Sequence, residues 1–358
     1  MRFKAVVVFL LILAISIPGL CAGRKGDRFP LTVKVAFSTS YDDNILKYSD
    51  QDLNRFETHT EPFPSEITTT DDWVNAFGLR LYRDFDLGRR FRFRPYYAGK
   101  ISLYAVNQIK NYQSHNFIGR LAYRNRAYFS LKYFYLPSYY LRIYKDKDWN
   151  AFRGAQFDLF RPAVSLRVRS PWAEFEAEGG RELTYYSEYF TEYDAEAFFW
   201  NVSASRTILE NLSLTVGYGL KVSDNIGFDQ IGVGSLTDPT VDTEYGDASY
   251  EEDQYSLEIA YLLPLPAKWD WKIGLNVQHS ERYYQSSLTS LQDPFHVGRE
   301  DRRTSFEPSL TVSPGLSLDL ELRYSYDRRR TDSPVPSVSQ VKDFDQHAIE
   351  FSVIYQIF

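Results

Sequence analysis

The residues best placed to do chemistry are charged ones that recur in phase. Arg92 and Arg94, with Lys100 in the same phase, then Arg120 and Lys132, make a cationic run. Glu174, Glu176 and Glu178 make an anionic one, and Lys221, Glu258, Lys272, Glu307, Asp319, Glu321, Arg323 and Glu350 continue a mixed set. Side chains two apart on an extended chain share one face. Such faces concentrate fixed charge, and the chemistry open to them is electrostatic. Opposed sectors across a water-filled space set a transverse field that screens polar solutes. The same charges can instead pair with neighbours and fill an interior as salt bridges. The sequence leaves both uses open.

Covalent chemistry has less to work with. His59, His115, His279, His296 and His347 lie in no Ser- or Asp-containing hydrolase motif, so no enzyme is expected. His279 falls on an apolar phase, as an interfacial side chain would. No His/Cys cluster has ligand spacing, so neither metal nor cofactor is expected. The acidic stretch 224–253 lacks the regular Asp/Asn spacing of a calcium loop and reads as a solvated anionic loop.

The elements that must position these charges are strands. Apolar residues alternate with polar ones in segments at 31–41, 73–83, 90–106, 114–124, 127–143, 153–168, 172–186, 195–206, 212–222, 250–263, 268–283, 303–312, 316–326 and 344–358. The segment 212–222 is the clearest: Leu212, Leu214, Val216, Tyr218, Leu220 and Val222 alternate with Ser213, Thr215, Gly217, Gly219 and Lys221. Pro137 is expected to break one strand and Pro162 to sit at a bulge in the next. The facing of 195–206 is ambiguous. Connections alternate between tight ones, such as Asp86-Leu87-Gly88 and Asn125-Arg126, and longer polar ones, such as 42–72 and 224–246.

Arg2 and Lys4 precede an apolar run at 5–17, which small residues and then a charged stretch follow. The run is shorter than the roughly 20 residues of a spanning helix and reads as a signal peptide over 1–22, leaving 23–358 as one domain. The sequence does not settle whether Cys21, the sole cysteine, is lipidated or discarded; Leu20 before it is larger than the lipidation motif favours. Loss of Arg2 and Lys4 takes the formal charge from −6 to −8, which disfavours a nucleic-acid partner. Aromatic residues make up 17% of the chain, far too many for a disordered exported segment. A mean hydropathy of −0.40 is compatible with a barrel, in which every second residue may face water.

Taken together, the alternation, the loop rhythm and the closing Tyr355-Gln356-Ile357-Phe358 resemble a bacterial outer-membrane β-barrel. The resemblance implies an all-β, closed antiparallel transmembrane barrel of about 14 strands (about 12–16), with short periplasmic turns and long external loops. It implies outer-membrane lipid and the barrel-assembly machinery as partners, with Tyr355 and Phe358 as the assembly signal. Phe358 departs from the family by standing out of phase with Ile349, Phe351, Val353, Tyr355 and Ile357, which leaves room for a terminal bulge. The charged residues of the first paragraph would then line the lumen. The expected function is a porin-like passive channel for small polar solutes in the outer membrane of a Gram-negative bacterium. Tyr41-Asp42-Asp43-Asn44 also resembles a feature of barrels linked to surface-polysaccharide export, so an accessory barrel with a plugged lumen is the alternative. A lipid-modifying barrel enzyme comes third, and a soluble β-sandwich or propeller is the contrary case.

Overall fold

The computed structural model describes residues 31–60, 67–146, 151–228, 246–265, 269–315 and 317–357. Residues 1–22, Cys21 among them, and Phe358 lie outside that set. Fifteen strands form one antiparallel sheet. They are β1 (Leu31–Asp42), β2 (Asp72–Arg83), β3 (Phe85–Leu87), β4 (Phe91–Tyr104), β5 (Tyr112–Tyr123), β6 (Ala127–Asp146), β7 (Ala151–Arg169) and β8 (Glu174–Tyr186). Then follow β9 (Ala195–Leu209), β10 (Leu212–Asp224), β11 (Tyr250–Leu263), β12 (Asp270–Tyr284), β13 (Glu300–Gly315), β14 (Leu318–Asp332) and β15 (Phe344–Gln356). β2 and β3 are separated only by Asp84 and both pair with β4, so they make one stave and the wall has fourteen.

The sheet closes on itself. β15 pairs with β1 from Lys34↔Gln356 to Asp42↔Ala348 and with β14 from Leu318↔Tyr355 to Arg329↔Phe344. Neither ladder shifts register, so no bulge occurs before Gln356. Closure gives each central backbone N–H and C=O a partner, which a sheet surrounded by hydrocarbon requires.

One face of every stave points outward and carries exposed apolar side chains: Val35 and Phe37, Phe77 and Leu79, Ile101 and Leu103, Val164 and Leu166, Phe198 and Trp200, Phe351 and Tyr355. The other face carries the polar set. This resolves β9: Phe198, Trp200 and Val202 are outside, Asn201, Ser203 and Ser205 inside. Aromatic rings meet stave to stave on the outer face. Trp200, Tyr218, Tyr255 and His279 form one such chain, with centroids 5.4, 5.5 and 6.3 Å apart. Aromatic residues so grouped suit a membrane interface.

Several expectations change in detail. The tight connection near 86–88 begins later, at Gly88 (φ 78°), because Asp86 and Leu87 remain paired to β4. Pro137 does not end β6; two register shifts, at Leu136/Tyr139 and Tyr140/Ile143, absorb it. Pro162 causes no bulge. The β7–β8 ladder skips from Phe160↔Leu183 to Ala163↔Gly180 without slipping, since proline lacks an N–H to donate. Gly180 allows the close approach there: a Cβ would lie 2.3 Å from the Pro162 carbonyl oxygen.

The long connections hold structure that alternation cannot signal. Helix α1 (Asp50–Glu57) starts at Ser49, whose hydroxyl accepts from the Asp52 N–H at 3.1 Å. Helix α2 (Pro336–Lys342) begins with proline at its first turn. Single 3₁₀ turns occupy Gln108–Lys110 and Thr191–Tyr193.

Candidate functional site: the lumen and its external mouth

The inner-facing charges fall into three groups. The first is a ladder across β6, β7 and β8. Register places Arg167 opposite Glu176 and Arg169 opposite Glu174, with Lys132 opposite Ala163 one stave further. Arg167 meets Glu176 at 2.5 Å, Arg169 meets Glu174 at 2.8 Å, and Lys132 meets Glu176 at 3.1 Å. Lys132 also pairs with Glu178. The glutamates expected as an acidic sector opposing the cations are instead neutralised by adjacent staves. Opposite charges at facing positions contribute roughly 0.2–1 kcal/mol each.

The second group is a belt toward the external end, made largely of residues that the sequence reading passed over. Glu182 accepts from Arg161 at 2.7 Å and from Lys221 at 2.5 Å. Glu252 pairs with Arg282 at 2.6 Å, and the Arg282 guanidinium lies 3.9 Å from the Tyr250 ring centroid. Asp327 holds Arg303 at 2.7 Å and Lys47, from the first long loop, at 2.7 Å. Arg299 forks onto Asp301 at 2.8 and 2.6 Å. Arg303 and Asp327 share the inner phase with the predicted charges; Arg303 opens the predicted segment 303–312, whereas Asp327 lies one residue past the predicted end of 316–326.

The external loops fold over this belt around three apolar clusters. One joins Ile45, Leu46, Tyr48, Ile67 and Tyr140; the second joins Tyr144, Ala155, Phe190 and Tyr193; the third joins Phe295, Val338 and Val341. Polar side chains tie the loops to the wall. Asp72 accepts from the backbone N–H of Ala105, Val106 and Asn107, the last at 2.7 Å. Asn107 then accepts from the Thr68 N–H at 2.9 Å. Lys110 is 2% exposed and donates to the Leu141 carbonyl at 3.1 Å. Burial pushes its ammonium down to about 7, against the pull of Asp42. Burial likewise raises Asp194, against one backbone N–H from Tyr186, and Asp343, against the Thr331 N–H and the nearby Arg329 and Arg330. His296 and Asp293, both buried, bond at 2.8 Å within one loop.

The third group lacks ion pairs. Among the described residues none is formed by Lys100, Arg120, Lys272 or Glu258, nor by Lys34 and Arg80, which the sequence reading did not single out. Arg80, Lys100, Glu258 and Lys272 are exposed although they face inward. The remaining candidates have partners: Arg92 with Asp86 at 2.9 Å, Arg94 with Asp84 at 2.6 Å and Glu321 with Arg323 at 2.5 Å. Glu307 accepts from Asn276 at 3.4 Å, Asp319 from Ser313 at 2.6 Å and Glu350 from Ser352 at 3.1 Å. A cavity of about 370 Å³ lies along Ser203, Gly217, Ser256, Gln278 and Ser305 on the small, polar part of the wall.

A closed wall of fourteen staves, apolar outside and charged inside, defines a transmembrane β-barrel of the bacterial outer-membrane type. Solved structures with matching chains include a bacterial polysaccharide outer membrane secretin (TM-score 0.43, 9% identity, 91% of this chain and 98% of that one). OmpT, an outer membrane protein of Vibrio cholerae, matches at TM-score 0.43 and 11% identity over 92% of this chain and 100% of that one. An anion-selective porin from Comamonas acidovorans matches at TM-score 0.43 and 8% identity over 92% and 99%. At such scores and identities these likenesses carry no argument about cargo or mechanism. No family model matches the chain, and no curated protein does.

Proposed function

We propose that this chain is a porin-like passive channel for small polar solutes. One observation carries the reading: Arg80, Lys100, Glu258 and Lys272 face inward, are exposed and have no ion-pair partner among the described residues. A filled interior would have to pair or desolvate them at a cost of several kcal/mol per ion. Water along the lumen removes that cost and provides the path. The fixed charges then act on what passes, while neutral polar solutes are sorted by size.

The folded external loops favour a second reading, an accessory barrel whose mouth is occluded. We assign the chain no catalysis under either. Liposome swelling separates the two. Purified mature protein in vesicles should admit neutral sugars at rates that fall with solute size. Absence of swelling for the smallest sugar, with the strand signal intact by circular dichroism, would overturn the channel reading in favour of the occluded one.

A further inference from the structure

We propose that Lys34, Arg80 and Lys100 form an anion-binding station on the lumen wall. The class of ligand is a small solute with two or more negative charges, such as phosphate or a dicarboxylate. The extension to transport, that such solutes are the preferred cargo, rests on the channel reading above.

The three cations occupy three consecutive staves. Lys34 of β1 stands directly opposite Arg80 of β2. Arg80 faces Ala98 of β4, and Lys100 lies two residues further along that strand, opposite Gly78. Like charges at facing positions destabilise a strand pair, so this arrangement is costly unless something offsets it. For several other cations of the lumen the chain supplies the offset itself: Lys132 has Glu178, Arg161 has Glu182 and Arg303 has Asp327. Here it does not. The inner-facing neighbours of the three cations are the small or neutral Ala36, Gly78, Ala98, Ser102, Ser114 and Gln356, with Thr32 and Tyr82 at the edge of the group, and none is a carboxylate. Nor can the charges turn toward lipid, because the outer face of the same staves is Val35, Leu79 and Ile101.

The small side chains leave open space over the centre of the triad, and Arg80 and Lys100 reach the water in it. An arginine fork binds two oxygens of one anionic group at once, and two ammonium groups add adaptable point charges. A dianion gains from all three, and a monovalent cation is repelled by all three.

The test uses the mature barrel in planar bilayers under a KCl gradient, with inorganic phosphate as the probe. Three forms are compared: wild type, the Lys34→Gln/Arg80→Gln/Lys100→Gln variant, and the Lys34→Arg/Lys100→Arg variant, which keeps the charge. The wild type should prefer chloride to potassium, and phosphate should block its current. In the neutral variant the permeability ratio should fall by about threefold or more, and the blocking concentration should rise by about tenfold. The arginine variant should retain both. Channels with no anion preference, or with preference and block unchanged in the neutral variant, would overturn the station while leaving the channel reading intact. If folded protein makes no channels, the channel reading fails alone. Phosphate titration of the detergent-folded barrel then decides the station: binding lost in the neutral variant supports it, and no binding to wild type overturns it.

Discussion

At the scale of single residues, the external mouth is where charge is most heavily constrained. Lys110 sits among loop residues with its ammonium held down to about 7 by burial. Between that value and the ordinary lysine value, the opened loop binds a proton that the closed loop does not. Closure is therefore favoured as pH rises through this window, and the advantage is lost as pH falls toward 7, with no further change below it. Lys110→Met should remove this dependence and protect the loop at neutral pH by on the order of 1–3 kcal/mol, allowing for the carbonyl contacts it loses. Limited proteolysis at residues 105–111 from pH 7 to 10 reads both effects. Asp327→Asn should act oppositely. It leaves Lys47 and Arg303 facing each other without their shared carboxylate, at a cost of about 1–2 kcal/mol because both cations remain partly solvated. The first long loop, residues 43–60, should become protease-sensitive in that variant while the barrel still migrates as a compact band before boiling. Neither residue was legible as functional in the sequence. Lys110 belongs to a 3₁₀ turn with no periodicity to reveal it, and Asp327 lay one position beyond the predicted end of its strand.

Among the elements, the strands were legible and the loops were not, for one physical reason. A stave with lipid on one side and water on the other must alternate, so residues 212–222 declare their facing without help from the rest of the chain. Helices α1 and α2 are short and stabilised by contacts such as Phe295 with Val338, which come from distant parts of the sequence. The turns lie between these cases. Asn125 was read as a turn residue, but the two central positions are Arg124 and Asn125, at φ 50° and 53°, with the Arg126 N–H donating to the Tyr123 carbonyl at 3.0 Å. Two successive residues at positive φ make this a tight left-handed turn, and asparagine tolerates that conformation better than most residues. Asn125→Val should cost about 1 kcal/mol in urea unfolding from detergent, and Asn125→Gly should cost nothing measurable. A large loss with glycine would show that the side chain, and not the backbone conformation, secures the turn.

For the whole molecule, the stave count follows from the rhythm of short and long connections, because closure in lipid leaves no edge strand to miscount. The distribution of charge inside was only half legible. Phase showed which side chains point inward, but pairing depends on register between neighbours, which no single strand encodes. Thus Glu174, Glu176 and Glu178, which stood out in the sequence, are neutralised by Lys132, Arg167 and Arg169. Lys34 and Arg80, isolated in the sequence, become facing cations. On the channel reading proposed above, the wall, the belt and the unpaired charges border one continuous aqueous path through the closed cylinder. Single-channel recording tests that most directly. Purified mature protein, folded in detergent and added to one side of a planar bilayer, should give discrete current steps of uniform size that scale with salt concentration. A bilayer that stays silent, with protein that inserts and still migrates as the compact unboiled form, would contradict it.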